Sequence, residues 1–116
     1  MKKDPEIFVE HILECIKRIE EYTEGITKDV FFNSTQIQDA IIRRIEIIGE
    51  AVKNIPGDIK DKYPDIPWKQ IAGMRDILIH EYFGIDIELT WEVAKEEIFE
   101  LKKKILSVKE DLKEKR

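Results

Sequence analysis

The sequence predicts an all-α protein, an up-and-down four-helix bundle. In four segments the apolar residues recur at steps of three and four, the period of an amphipathic helix. Residues typical of helix ends separate these segments, and no segment alternates apolar and polar residues with the period of a strand. The 116 residues have the length of one domain, so we assign 1–116 to a single helical domain.

The first helix is predicted to begin at Asp4 and Pro5, because aspartate is a good N-cap and proline suits the first helical position. Gly25 is predicted to end it in a left-handed conformation. Between these two ends lies an apolar stripe of Phe8, Ile12, Cys15, Ile19 and Tyr22.

The second helix lies between the turn-prone pair Asn33-Ser34 and the pair Pro56-Gly57. Further apolar or small residues widen its apolar face, which predicts contacts with more than one neighbour. The stripe is Ile37, Ile41, Ile45, Ile48, Val52 and Ile55, and the widening residues are Ile42, Ile47 and Gly49.

Three prolines and a glycine predict a loop over residues 56–67. Pro67 can begin a third helix that runs from residue 68 to about residue 82, with Gly84 ending it. A fourth, longer stripe follows: Trp91, Ala94, Ile98, Leu101, Ile105, Val108 and Leu112.

The fourth helix has more turns than the third can cover. From Lys102 onward we therefore expect it to project into solvent or to meet another chain. We favour a homodimer that shares helix faces, because isolated amphipathic helices are marginally stable.

The composition excludes several classes of protein. There are 20 Lys and Arg against 25 Asp and Glu, a net charge of −5, which argues against binding nucleic acid through bulk charge. The single cysteine, Cys15, rules out an internal disulfide and a cysteine-cluster metal site. No membrane span and no signal-like segment are evident, so we expect a soluble, cytoplasmic protein with no membrane partner.

Polar residues cluster at the predicted end of the third helix, at Arg75, Asp76, His80 and Tyr82. On a continuous helix Asp76 and His80 share a face, so the carboxylate could fix the imidazole tautomer and raise the histidine pKa. Arg75 and His80 are five apart, about 140° around the helix. They can converge only through the reach of the arginine, a distortion near Gly84 or a subunit interface.

An arginine that clamps a phosphate beside an imidazole that moves protons suits metal-independent RNA cleavage. His80 would take the proton of a ribose 2′-hydroxyl, and Arg75 would neutralise the charge on the phosphate oxygens. A two-fold interface would supply a second His80 as the acid. The same residues also fit a helix C-terminal cap with a surface ion pair, and spacing alone leaves both readings open.

Segment 75–84, RDILIHEYFG, resembles the R-x4-H-x-Y signature of HepT-like proteins in the HEPN superfamily. Residues 41–51 resemble the second-helix block of that family, residues 67–74 resemble the lead-in to its signature helix, and Trp91 also fits. The resemblance implies a helical bundle, usually a homodimer, with paired Arg-His sites at the cleft between subunits. It also implies the toxin half of a toxin–antitoxin module, a ribonuclease that acts on RNA.

By this resemblance Arg75 and His80 map onto the catalytic pair, and Asp76 onto a supporting polar position. Tyr82 maps onto the tyrosine that a partner nucleotidyltransferase, the MntA-type antitoxin, adenylylates. The antitoxin holds the ATP and metal for that step, so we expect no cofactor on this chain. The alternative is a non-catalytic helical partner of a nucleotidyltransferase.

Other residues have structural or auxiliary readings. The candidates for RNA contacts are Arg43, Arg44, Lys53, Lys69 and Arg75, although Arg43 and Arg44 also fit a solvated or ion-paired surface. Trp68 and Trp91 are predicted to anchor the core, and Cys15 to be a small buried apolar residue.

Overall fold

The structure is a computed structural model that describes residues 4–80 and 84–114, apart from the side chain of His80. In these ranges the helices are α1 (Pro5–Thr23), α2 (Lys28–Phe32), α3 (Thr35–Lys53), α4 (Gly57–Asp61), α5 (Trp68–Ala72), α6 (Met74–Leu78), α7 (Ile87–Glu92) and α8 (Ile98–Glu114). A π-helical turn, Val93–Glu97, joins α7 to α8, so the last three pieces form one long helix. The predicted all-α fold is confirmed.

Helix α1 begins and ends as predicted. The Asp4 side chain accepts a hydrogen bond of 2.9 Å from the backbone N–H of Glu6, and Gly25 has a φ of +74°. Its inward face, which includes Cys15 at 2% exposure, is buried against α3 and α8. The predicted burial of Cys15 is therefore confirmed.

Helix α3 is the central element of the domain. The Ser34 hydroxyl caps it by accepting from the N–H of Ile37 at 3.2 Å. It packs against α1 and also against α5 and α6, which confirms the predicted contacts with more than one neighbour. The buried Gln38 amide donates to the carbonyl oxygens of Phe31 and Phe32 and so attaches α2, a helix that the sequence pattern did not predict.

The third helix is not continuous, and here the prediction is wrong. A break at Gly73 divides it into α5 and α6, and the backbone leaves the helix at Ile79, where φ is −110° and ψ is +121°. Residues Ile79–His80 form strand β1, which pairs antiparallel with strand β2, Gly84–Ile85. Residues 81 and 82, which the prediction also included, lie outside the described residues.

Contacts across a short hairpin explain this early end. The backbone N–H of Asp86 donates to the carbonyl of Leu78 at 2.7 Å, and the register pairs Ile79 with Ile85 and His80 with Gly84. Gly84 has a φ of +79°, which only glycine adopts readily. The β-branched Ile79 also suits a strand better than a helix.

The loop before α5 contains the short helix α4 and is held to α5 by Trp68. The indole N–H of Trp68 reaches the carbonyl oxygens of Lys60 and Tyr63, each at 3.2 Å. Trp91 packs on the buried Phe31 with ring centroids 5.1 Å apart. Both tryptophans therefore anchor the core, as predicted.

The C-terminal part of α8 does not project into solvent, and that expectation is wrong. Ile105 and Val108 are fully buried, since the 19 residues of α1 give this part of α8 a long partner. Ion pairs flank the contact: Lys102 with Glu20 at 3.1 Å and Lys109 with Glu10 at 3.0 Å. Among the described residues, no helix is both long and apolar enough to cross a membrane.

Candidate functional site

Arg75 lies in α6, immediately before the segment that carries His80. Its Nε is 3.4 Å from Oε2 of Glu46 on α3, and its Nη1 donates to Oδ1 of Asp76 at 3.4 Å. The arginine side chain is 44% exposed, so it is held from two sides while a large part of it faces solvent. This is the position expected of a group that binds an external anion.

Glu46 links Arg75 to a second arginine. Its other oxygen, Oε1, accepts from Nη1 of Arg43 at 2.5 Å. One carboxylate of α3 therefore holds two guanidinium groups, one from α3 itself and one from α6. Glu46 is not among the site residues predicted from the sequence. The i, i+3 spacing of Arg43 and Glu46 was visible, but the contact with Arg75 needs the tertiary structure.

Gly49 allows α6 to lie this close to α3. A methyl group added at Gly49 would be 3.0 Å from the carbonyl oxygen of Ala72, the last residue of α5. The missing side chain thus lets the end of α5 pack on the α3 backbone. Arg75 follows three residues after Ala72, and Glu46 precedes Gly49 by three, so the close approach brings the two charged groups together.

The expected helical alignment of Asp76 with His80 is absent. Because the helix ends at Leu78, the i, i+4 geometry that would place them on one face does not exist. Asp76 is 82% exposed and contacts Arg75. The side chain of His80 lies outside the described residues, as does Tyr82, whereas the backbone of His80 is fixed by pairing with Gly84.

The five candidate RNA contacts are not gathered at one place. Arg43 and Arg75 converge on Glu46, whereas Lys53 pairs with Glu50 on its own helix at 3.3 Å. Arg44 is directed at α1: hydrogen bonds with Tyr22 and then Cys15 raise its pKa, which makes it a structural residue. Burial raises the pKa of the Cys15 thiol despite the opposing effect of Arg44, which disfavours the reactive thiolate form.

The charges around Arg75 are balanced. Two guanidinium groups, of Arg43 and Arg75, face two carboxylates, of Glu46 and Asp76. Any attraction for an anion is therefore local and directional, and no strong positive field supports it. Within the described part of the chain, no three His, Cys, Asp or Glu residues cluster in a way that could hold a metal ion.

Fold and site together define a small helical domain with an arginine-centred polar site, followed directly by a histidine in a two-stranded ladder. The family model for Ribonuclease HepT-like proteins matches residues 12–108. The chain belongs to this HepT-like family.

Similar proteins agree with this assignment. The chain is 58% identical to "Gamma-glutamylcyclotransferase and putative RNase MJ0434" of Methanocaldococcus jannaschii, over 97% of this chain and 50% of the relative. This chain thus spans half the length of that protein. It is 48% identical to "Putative RNase MJ0125" of the same organism, over 98% of both chains. It is also 48% identical to "Probable ribonuclease HepT" of Thermococcus cleftensis, over 90% of this chain and 94% of that one. No solved structure matches the chain significantly.

Proposed function

We propose that this protein is the toxin of a HepT/MntA-type toxin–antitoxin module, a homodimeric endoribonuclease that cleaves cytoplasmic RNA without a metal ion. The observation that carries the proposal is Arg75, exposed and held by Glu46, five residues before His80 in a chain of the HepT-like family. The names of its relatives, most of which refer to an RNase, support the same activity.

Arg75 and His80 have complementary roles in the proposed reaction. His80 accepts the proton of a ribose 2′-hydroxyl, whose oxygen then attacks the adjacent phosphorus. The bond from phosphorus to the 5′-oxygen breaks, leaving a 2′,3′-cyclic phosphate on one fragment. The 5′-oxygen takes a proton from His80 of the partner subunit. Arg75 neutralises the charge that develops on the non-bridging oxygens.

The variants His80→Ala and Arg75→Ala test this function. We expect each to slow RNA cleavage by at least about 100-fold, the usual contribution of a general acid–base group or of an electrostatic stabiliser. Cleavage is followed on a labelled RNA in the presence of EDTA. The control is Arg18→Ala, because Arg18 is an exposed arginine of α1 whose ion pairs, among the described residues, are with α1 glutamates.

Wild-type circular-dichroism spectra and melting temperatures for both variants would exclude a folding defect. Cleavage that persists in His80→Ala, or that requires added Mg²⁺, contradicts the mechanism.

Tyr82 is the residue whose modification is proposed to switch off RNA cleavage. A partner nucleotidyltransferase transfers AMP from ATP to the tyrosine oxygen and releases pyrophosphate. The new phosphodiester then places a negative charge and an adenosine two residues from His80. The added group would oppose RNA by charge and by occupancy of the space around the site.

Intact mass spectrometry tests this modification after incubation with the neighbouring nucleotidyltransferase, ATP and Mg²⁺. Each AMP should add about 329 Da to wild-type protein. The Tyr82→Phe variant should gain nothing, whereas Tyr63→Phe should behave like wild type. An equal gain in Tyr82→Phe would show that another residue is modified.

The balanced charge around Arg75 favours one second candidate, a non-catalytic partner of a nucleotidyltransferase. Such a partner needs no attraction for RNA, and the net charge of −5 is compatible with it. Expression of the chain alone separates the two functions. Growth arrest that the neighbouring nucleotidyltransferase relieves indicates the toxin, while harmless expression of both wild type and His80→Ala indicates the partner.

A further inference from the structure

We propose that Arg43 and Arg75 form one two-arginine site for an RNA phosphate, with Glu46 as the carboxylate that holds the two guanidinium groups side by side. This inference rests on the proposed function for the identity of the anion. It adds Arg43 as a second phosphate contact and Glu46 as a positioning residue.

The geometry assigns one oxygen of Glu46 to each arginine. Oε1 meets Nη1 of Arg43 at 2.5 Å, and Oε2 lies 3.4 Å from Nε of Arg75. Arg43 is 66% exposed, so it keeps donors that face solvent. Arg75 meets Glu46 through Nε and Asp76 through Nη1, which leaves Nη2 free of both ion pairs. Two neighbouring guanidinium groups with outward donors match the several oxygens of a phosphodiester.

Stability does not account for this arrangement. Exposed ion pairs contribute little to folding, and two adjacent guanidinium groups repel each other. Arg18 on α1 shows the contrasting arrangement: its two acids, Glu14 and Glu21, lie on its own helix, and no second arginine in the described part of the chain shares them. Glu46, by contrast, is shared by two arginines, and its contact with Arg75 joins two helices. We therefore interpret the role of Glu46 as holding the guanidinium groups of Arg43 and Arg75 close together.

Glu46 has two opposing effects on a bound phosphate. It orients Arg75 relative to the segment that carries His80, which favours the reaction. Its negative charge also repels the phosphate and offsets part of the attraction of the two arginines. Removal of that charge should therefore strengthen binding and slow cleavage, a combination that simple loss of structure does not produce.

The first experiment measures RNA binding by fluorescence anisotropy over a range of salt concentrations. The ligand is a single-stranded 2′-O-methyl RNA oligonucleotide, which cannot be cleaved because it lacks the attacking hydroxyl. Arg43→Ala should bind about tenfold more weakly at low salt, and the slope of log K against log salt should fall by about 0.7, as for loss of one phosphate contact. Arg18→Ala is the matched control and should bind like wild type.

The second experiment compares Glu46→Gln with Glu21→Gln, which alters the matching pair on α1. Glu46→Gln should bind the oligonucleotide about threefold more tightly, because an opposing charge is gone. It should cleave at least about tenfold more slowly under single-turnover conditions, because Arg75 is no longer oriented. Glu21→Gln should change neither quantity, and all variants should keep wild-type melting temperatures.

Titration with AMP in place of the oligonucleotide distinguishes a strand from a phosphate monoester. Weaker binding of AMP by Arg43→Ala with unchanged binding of the oligonucleotide would overturn the assignment to RNA. The proposal is also overturned if Arg43→Ala binds like Arg18→Ala, or if Glu46→Gln binds more weakly or cleaves at the wild-type rate. If wild type cleaves no RNA at all, the proposed function fails, whereas the binding experiment still decides whether the two arginines form one phosphate site.

Discussion

At the scale of the residue, Tyr63 shows how one side chain joins distant parts of the fold: it ties the loop before α5 to the end of α8. Its hydroxyl donates to the carboxylate of Asp111 near the end of α8, 48 residues further along the chain. Burial, and then the hydrogen bond and charge of Asp111, raise the pKa of Tyr63 from 10.0 to about 12. The neutral phenol is therefore the form that the fold favours.

This shift makes folding depend on alkaline pH. A tyrosine whose pKa is higher in the folded than in the unfolded chain stabilises the fold fully below pH 10, and that contribution is lost between pH 10 and about 12. We expect the advantage of wild type over Tyr63→Phe in urea unfolding to be smaller at pH 11 than at pH 9. An unchanged difference would show that Tyr63 titrates normally.

At the scale of elements, the approach of α5 to α3 decides where Arg75 lies. Gly49 leaves the space that the Ala72 carbonyl occupies, and the break at Gly73 then redirects the chain into α6. A helix without this break would carry Arg75 along a different path. The short helices α5 and α6 therefore determine the position of Arg75 in the site.

Gly49→Val tests this packing. The valine side chain must displace backbone, so we expect a loss of about 1–3 kcal/mol in the free energy of unfolding and slower RNA cleavage as Arg75 moves away from Glu46. Gly57→Val is the control, since a side chain there meets nothing within 4 Å. Thermal melts and single-turnover cleavage measure the two effects. Wild-type values for Gly49→Val would show that α5 adapts without moving the site.

At the scale of the whole molecule, the proposed dimer concerns the surface around α6. Ile77 is 49% exposed only two residues after Arg75, whereas the exposed Phe99 on α8 is covered on one side by Lys103, whose Nζ lies 4.5 Å from the ring centroid. An interface that pairs two copies of His80 would pass over α6 and bury Ile77.

Light scattering should therefore give a mass of about twice 13.8 kDa for wild type. We expect Ile77→Lys to be a monomer with little RNA cleavage, because the second His80 is lost. Phe99→Lys should remain a dimer and stay active. A monomeric wild type that cleaves RNA would contradict the two-subunit mechanism.

The sequence alone determined the features that depend on local pattern. Apolar residues at helical spacing, with Asp4 as the cap and Gly25 as the end of the first helix, predicted α1. The same spacing after the turn-prone pair Asn33-Ser34 predicted α3, and it also predicted the helical state of α8, because helix formation is governed by neighbours three and four residues apart. The signature from Arg75 to Tyr82, together with the similar blocks at residues 41–51 and 67–74, likewise identified the family.

Only the tertiary structure decided how those pieces meet. The helix through residue 82 was predicted from spacing, but pairing of Ile79 with Ile85 and the bond from Asp86 to Leu78 draw the chain into a strand. The link from Arg75 through Glu46 to Arg43 joins residues about 30 positions apart, and the burial of Val108 depends on α1 at the other end of the chain. Such contacts leave no helical period in the sequence, since they form only when different elements of the chain pair or pack together.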